Sequence, residues 1–128
     1  MKLLDIRLIG DTDASENMTL TSTQAILGFI EKIEWVDGDF ADGVDGVLSV
    51  VETASGVDKT IFTFTDVNND AEYYPRTLIH GLDKTALTGT AGGDRTKVLA
   101  AGKLKLTVTS GGVSKVGGGC IVYISEFN

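Results

Sequence analysis

Strict alternation of apolar and polar residues predicts the clearest strand of this chain. In the segment "GKLKLTVTS", three apolar residues, Leu104, Leu106 and Val108, alternate with lysines and threonines. Because successive side chains of a strand point to opposite faces of a sheet, this pattern places one face in the core and one in water. The later run "CIVYISEF" is rich in β-branched and aromatic residues. The two segments, joined by "GGVSKVGGG", are therefore predicted to form a C-terminal hairpin.

Four other segments have the composition of strands. "GVLSVVET" and "KTIFTFTD" are separated only by "ASGVD", which predicts a second hairpin. "KLLDIRLIG" and "YYPRTLIH" are the remaining two candidates.

The stretch "TSTQAILGFIEKIEWVDG" fits two periods. One set of apolar residues has helical spacing: Ile26, Phe29, Ile30 and Ile33. Another set lies on one face of a strand: Leu27, Phe29, Ile33 and Trp35. Thr21 and Gln24 could form a capping box for the helix, whereas Gly28 disfavours a helix interior. We favour a strand from Gly28 to Val36.

Six to eight short strands separated by glycine, asparagine and aspartate turns predict an all-β fold. The expected architecture is a single-domain antiparallel β-sandwich or a jelly-roll-like barrel. Since no internal repeat or linker divides the sequence, we assign residues 1–128 to one domain. Residues 1–22 are interpreted as an N-terminal arm or an edge strand.

Composition and charge narrow the classes of partner. The chain has 128 residues, of which 42% are hydrophobic, and a formal net charge of −7. An acidic chain lacks the basic surface that nucleic acids and anionic membranes attract, so we expect neither as a direct partner.

Asp5 and Arg7 interrupt the first apolar run, which therefore does not resemble a signal peptide, and we expect synthesis in the cytoplasm. The single cysteine, Cys120, lies in an apolar run and is expected to be a buried thiol.

Oxygen-bearing side chains at every second position form the best metal candidate. They are the potential calcium ligands Asp66, Asn68, Asp70 and Glu72. An EF-hand loop requires glycine at its sixth position and glutamate at its twelfth, where this chain has Ala71 and Thr77. A turn between strands explains the same residues, because asparagine and aspartate favour tight reversals. We therefore expect no cofactor, with calcium as the alternative. The "DGDFADGVDG" segment is interpreted as an exposed acidic loop.

No residue set predicts an enzyme. His80 is the only histidine, and nucleophilic catalysis needs a partner nucleophile and an orienting group that the sequence does not indicate. One histidine and one cysteine are too few for a zinc site. The glycine-rich "TGTAGGDRTK" lacks the spacing of a phosphate-binding loop. We expect a protein that is not an enzyme.

The segment "EYYPRT" is the best candidate for an interaction surface. Pro75 cannot donate a hydrogen bond to a sheet ladder, so it belongs at an edge, a strand start or a bulge. Tyr73 and Tyr74 then point to opposite sides. Tyrosine and arginine are enriched at interface anchors, which makes Tyr73, Tyr74, Pro75 and Arg76 interface candidates. Trp35, the only tryptophan, is a further candidate.

Several of these segments together resemble small structural proteins of tailed bacteriophages. The resemblance covers Gly28 to Ile124 and is carried by "GFIEKIEWVDGDFADGVDGVLSV", "TFTDVNNDAEYYPRTLIHG" and "GKLKLTVTSGGVSKVGGGCIVYI". It includes an aromatic-proline-arginine element and a late glycine-rich connection before an aliphatic-tyrosine strand. The group has no catalytic motif, so no site residue is carried over from it.

The resemblance implies a virion component, most often a capsid decoration (cement) protein. Such a protein binds across major capsid protein subunits at the capsid surface after synthesis in the bacterial host cytoplasm. It is expected to be a homo-oligomer, with a homotrimer favoured. The alternative is a neck, tail or fibre accessory module that binds carbohydrate or another receptor. In that case Tyr73, Tyr74 and Trp35 would stack on sugars.

Overall fold

A computed structural model describes residues 2–78 and 95–127, and these residues form nine antiparallel strands. In chain order the strands are β1 (Lys2–Gly10), β2 (Met18–Thr21), β3 (Ile26–Val36), β4 (Val44–Glu52), β5 (Asp58–Val67), β6 (Ala71–Tyr73), β7 (Arg76–Leu78), β8 (Arg95–Thr109) and β9 (Gly118–Glu126). The predicted all-β antiparallel fold is confirmed, and the described ranges alone contain nine strands where six to eight were predicted. Within the described ranges, no helix has the length and apolar character to cross a membrane.

The long strand β8 organises the sheet, whose order is β1-β9-β3-β8-β4-β5. One edge of β8 pairs with β4, and the other pairs with β2 and then with β3. Ser22 spans the break between β2 and β3. Its backbone N–H donates to the carbonyl of Leu104 at 2.8 Å, and its hydroxyl oxygen accepts from the N–H of Leu104 at 3.0 Å. The buried hydroxyl thus replaces a ladder contact at this break.

The sheet curls over a single core. β3 and β5 are three places apart in the strand order, yet the ring centroids of Trp35 in β3 and Phe64 in β5 are 4.7 Å apart. This contact closes two parts of one continuous sheet into two layers, which gives the sandwich-like form. The fully buried side chains include Ile30, Leu48, Leu104, Leu106, Val108, Val122 and Ile124.

A β-bulge in β3 explains the mixed period of its sequence. Opposite β9, Ile30 pairs with Ile124 but Lys32 pairs with Tyr123, so Glu31 is an extra residue. A bulge changes which face the following side chains occupy. Ile26 and Ile30 point into the core before the bulge, and Ile33 and Trp35 do so after it. The strand prediction is confirmed, with a start at Ile26, and the helical alternative is wrong.

One predicted hairpin is confirmed and the other is wrong. β4 and β5 pair directly, as their spacing predicts. The predicted C-terminal hairpin of β8 and β9 does not form, because β9 pairs with β1 on one edge and β3 on the other. β1 has a single partner, β9, among the described residues, so the N-terminal strand lies at an edge of the sheet.

The core encloses the single cysteine. Cys120 lies in β9 with no exposed surface, as expected for a buried thiol. Burial raises the pKa of this thiol to about 12, because a buried thiolate would lose its hydration. The thiol is therefore protonated at neutral pH.

Substitution of Gly28 tests the close packing of β3 against β9. A Cβ atom at this position would lie 2.3 Å from the carbonyl oxygen of Ser125 and 2.9 Å from the Cα of Glu126. Because these are backbone atoms, we expect Gly28→Ala to lower the free energy of unfolding by about 2–3 kcal/mol. Chemical denaturation followed by tryptophan fluorescence measures the change.

Gly10→Ala is the matched control. Its Cβ would meet only flexible side-chain ends, the nearest being Leu20 Cδ1 at 3.1 Å, so we expect a loss of about 1 kcal/mol or less. Equal losses in the two variants would contradict the assigned packing of β3 on β9.

Candidate functional site

The segment Tyr73, Tyr74, Pro75 and Arg76 forms a corner between β6 and β7, here called the Pro75 corner. β6 pairs with β3 at Ile33–Trp35, and β7 pairs with β8 at Arg95–Lys97. β3 and β8 pair with each other only as far as Ile30 and Val98. The corner therefore bridges these two strands beyond the point where their own pairing ends. Pro75 lies between the two short ladders and is buried, which suits a residue without a backbone N–H.

The two tyrosines of the corner have different environments. The ring of Tyr73 packs 4.8 Å from Phe62 and 5.3 Å from Phe64, at the edge of the core. Tyr74 is 57% exposed, and its hydroxyl donates to Glu72 Oε2 at 3.1 Å. The corner thus anchors one aromatic ring inside and presents the other to solvent on a constrained backbone.

Arg76 stabilises the corner itself. Its Nη1 donates to the carbonyl oxygen of Pro75 at 2.7 Å and to that of Glu31 at 3.4 Å. The second bond joins the corner to the bulge of β3. Arg76 is therefore a supporting residue of the predicted surface, and Tyr74 is the side chain that the surface exposes.

The bulge residue Glu31 joins three strands. Its carboxylate forms an ion pair with Lys97 of β8 at 2.8 Å and accepts a hydrogen bond from the hydroxyl of Ser125 in β9. The hydrogen bond from Lys97, and next that from Ser125, lowers the pKa of Glu31. The carboxylate is therefore ionised at neutral pH, and it links the two strands that flank β3.

Lys32 organises a second polar cluster beside the corner. Its ammonium group lies 3.1 Å from Glu34 and 3.2 Å from Glu72, and 4.9 Å from the ring centroid of Tyr123. The hydrogen bonds to the two carboxylates raise the pKa of Lys32, and the bond to Lys32 lowers the pKa of Glu72. Glu72 also accepts from Tyr74, so this cluster restricts the exposed ring.

Trp35 is not part of an interaction surface. It is only 1% exposed and packs against Phe40 and Phe64, at centroid distances of 6.0 and 4.7 Å. The prediction of Trp35 as an interface residue is wrong, because the bulge turns this side chain into the core.

Three of the four calcium candidates, Asn68, Asp70 and Glu72, use their side chains in other contacts. Asn68 Oδ1 accepts from the backbone N–H of Gly43 at 2.7 Å, and Asp70 Oδ1 accepts from that of Asp37 at 2.8 Å. Glu72 pairs with Lys32, and the backbone N–H of Asp66 donates to Asp45 at 2.8 Å. The side chains of Asn68 and Asp70 thus connect the 68–70 loop to the 37–43 loop, and Glu72 belongs to a different cluster around Lys32. Among the described residues, no group of three or more histidine, cysteine, aspartate or glutamate side chains could hold a metal ion.

Four loops meet at one end of the molecule, here called the loop end: residues 11–17, 37–43, 68–70 and 110–117. Backbone hydrogen bonds connect them, including Thr12 to Lys115 at 2.9 Å, Asp39 to Val116 at 3.1 Å and Ala41 to Gly111 at 3.0 Å. The side-chain bonds of Asn68 and Asp70 add the fourth loop. The predicted acidic loop of residues 37–46 thus belongs to a larger cross-linked surface.

Asp37, at the base of the loop end, lies where its ionised carboxylate is poorly stabilised. Its Oδ1 and the indole Nε1 of Trp35 are both buried and form no hydrogen bond among the described residues. Burial is the largest effect and raises the pKa of Asp37. Proximity to the indole opposes it, and the nearby carboxylates of Asp70 and Asp42 add to the increase. Ionised Asp37 therefore opposes folding at neutral pH.

An apolar surface that the sequence patterns did not indicate lies on the outer face of β3 and β8. This outer apolar patch consists of Leu27, Phe29, Leu99, Ala101 and Phe127. Leu27 pairs with Ala101 and Phe29 with Leu99 across the two strands, and Phe127 packs edge-on against Phe29 at 5.3 Å. Leu27 and Leu99 are 48% and 45% exposed. The sequence does contain one sign of this patch: Leu99 and Ala101 are in the same alternating positions as the lysines of β8, and therefore on its outward face.

His80 and most of the glycine-rich segment around Gly92 lie outside the described residues.

No family model matches this chain, and neither does any curated protein or solved structure at a significant level. Inference about function therefore depends on the geometry. It provides a fixed exposed tyrosine, an exposed apolar patch and an acidic loop end, which are surfaces suited to binding.

Asp37→Asn tests the electrostatics of the loop end. The pKa of Asp37 is higher in the folded state than in the unfolded state. The folded state is therefore destabilised as pH rises from the unfolded-state pKa through the folded-state pKa, because Asp37 then has to ionise in a buried position. We expect the variant to match the wild-type protein in acid and to become more stable, by about 1 kcal/mol or less, as pH rises past the ordinary aspartate value of about 3.9. Denaturation curves at a series of pH values measure the difference. A stability gain that is constant with pH would show that ionisation of Asp37 is not its cause.

Proposed function

We propose that this protein is a virion structural protein that decorates and stabilises a bacteriophage capsid by binding across major capsid protein subunits. The phage setting comes from the resemblance of residues 28–124 to small virion proteins. The observation that carries the binding role is the Pro75 corner, which exposes Tyr74 on a backbone held between β3 and β8.

The corner has the physical properties of an interface anchor. A tyrosine offers a large contact area with few rotatable bonds, so its immobilisation on binding costs little conformational entropy. Pro75 restricts the backbone before binding, and Glu72 orients the hydroxyl of Tyr74. Preorganisation of this kind favours tight association with a complementary pocket.

In this proposal the protein acts by binding alone, without catalysis and without a cofactor. It is made in the host cytoplasm and is located at the capsid surface, where its acidic exterior favours a basic patch of the major capsid protein. Because it binds the assembled shell in preference to free subunits, mass action stabilises the shell. A homo-oligomer, with a trimer favoured, would contact several capsid subunits at once.

The carbohydrate-binding alternative is weaker. It requires Tyr73, Tyr74 and Trp35 to stack on sugar rings. Trp35 is buried and Tyr73 packs against Phe62 and Phe64, so Tyr74 is the one ring of the three that is mainly exposed. A single ring offers little stacking surface, and capsid binding therefore remains the preferred function.

Co-sedimentation with capsids stripped of decoration proteins tests the proposal. The wild-type protein is expected to sediment with the capsids, and Tyr74→Ala to bind at least about tenfold more weakly, because truncation of an aromatic anchor typically costs about 2 kcal/mol or more. Tyr74→Phe should retain most of the affinity, since the ring supplies the contact area.

Val57→Ala is the control, because Val57 is also an exposed apolar residue, 62% accessible, but lies in the β4–β5 turn. It should bind like the wild-type protein. Absence of wild-type binding would refute the proposed function, whereas equal binding by Tyr74→Ala would refute the role of the corner.

A further inference from the structure

Two different surfaces lie at opposite ends of β3. The outer apolar patch includes Leu27 and Phe29 near the start of the strand, and the loop end begins directly after Val36. At about 3.3 Å per residue, a strand of this length separates the two surfaces by about 30 Å. One copy of the chain therefore carries the two surfaces at separate places.

Basic residues flank the outer apolar patch. Along the outward face of β8, Arg95 and Lys97 precede Leu99, and Lys103 and Lys105 follow Ala101. Lys97 and Lys105 form ion pairs with Glu31 and Asp58. Within the described ranges, Arg95 and Lys103 form no ion pair, and both are exposed. The patch thus combines apolar area with basic side chains on both sides of it along β8.

The loop end has the opposite charge and its own apolar residues. Its acidic side chains are Asp11, Asp13, Glu16, Asp37, Asp39, Asp42 and Asp70, against a single basic residue, Lys115. Val113 and Val116 are 57% and 54% exposed among them. The backbone of Val116 accepts from Asp39 at 3.1 Å, which brings the acidic and apolar groups together.

We propose that copies of this chain associate head to tail, with the loop end of one copy on the outer apolar patch of the next. Val113 and Val116 would contact the patch around Leu27 and Leu99, and the surrounding carboxylates would face Arg95 and Lys103. Charge complementarity favours a second copy of this chain as the partner of the patch, because the acidic loop end of one copy matches the basic residues around the patch of another. Patch-to-patch association would place like charges opposite each other, which is unfavourable.

The contact is heterologous, since it joins two different surfaces. Such contacts close into a ring when the rotation between copies permits and otherwise extend as a filament. A closed ring agrees with the homo-oligomer expected under the proposed function. The head-to-tail contact itself is inferred from the two surfaces, and it rests on the proposed function only for where in the cell or virion it would occur.

Two double variants test the two surfaces one at a time. Leu27→Ser with Leu99→Ser removes apolar contact from the patch, and Val113→Ser with Val116→Ser removes it from the loop end. All four residues are exposed and the net charge is unchanged. Sedimentation velocity is expected to show an oligomer for the wild-type protein and at least tenfold weaker self-association for each variant. Val57→Ser, outside both surfaces, is the control and should behave like the wild-type protein.

Mixing provides the decisive measurement. Each double variant retains the surface that the other lacks, so an equimolar mixture should form a one-to-one complex that weakens as salt concentration increases. Complex formation also shows that both variants are folded. A wild-type protein that stays monomeric at high concentration, or a mixture that contains only monomers, would overturn the proposal.

Capsid co-sedimentation of the same variants keeps the two proposals distinct. Capsid binding by a monomeric wild-type protein would overturn head-to-tail association and leave the proposed function in place. An oligomer that assembles as described but does not bind capsids would support head-to-tail association and refute the proposed function.

Discussion

The bulge at Glu31 is the constraint on which the rest of this structure depends. One extra residue in β3 lets Ile26 and Ile30 enter the core before it and Ile33 and Trp35 after it. Without this change of face, Trp35 would point to solvent and could not pack on Phe64, the contact that closes the curled sheet. The bulge also places two neighbouring charged residues, Glu31 and Lys32, where they can form ion pairs with β8 and β6.

The candidate interaction site follows from the same irregularity. β3 and β8 stop pairing at Ile30 and Val98, and the Pro75 corner fills the space beyond with one short ladder to each strand. Arg76 binds the carbonyl of Glu31, so the bulge directly supports the corner. The exposure of Tyr74 is thus a consequence of how two long strands diverge, and its fixed position is what makes it suitable as an anchor.

The fold also separates charge along the molecule. Four loops gather most of the excess acidic residues at one end, where asparagine and aspartate side chains bind backbone N–H groups of neighbouring loops. The outward face of β8 keeps lysines and an arginine around an exposed apolar patch. This separation of charge is the physical basis of the proposed head-to-tail contact, in which two different surfaces meet.

The local pattern of the sequence by itself determined the strand character of the chain, the β4–β5 hairpin, the acidic surface and the opposite directions of Tyr73 and Tyr74. These depend on residues that are neighbours in sequence, so alternation and turn composition are sufficient to predict them. Only the tertiary structure decided that β9 pairs with β1 and β3, that Trp35 is buried, and that Asn68 and Asp70 connect loops. The physical reason is that each outcome depends on contacts between distant residues, and a single inserted residue at Glu31 reverses the face of the side chains that follow it in β3.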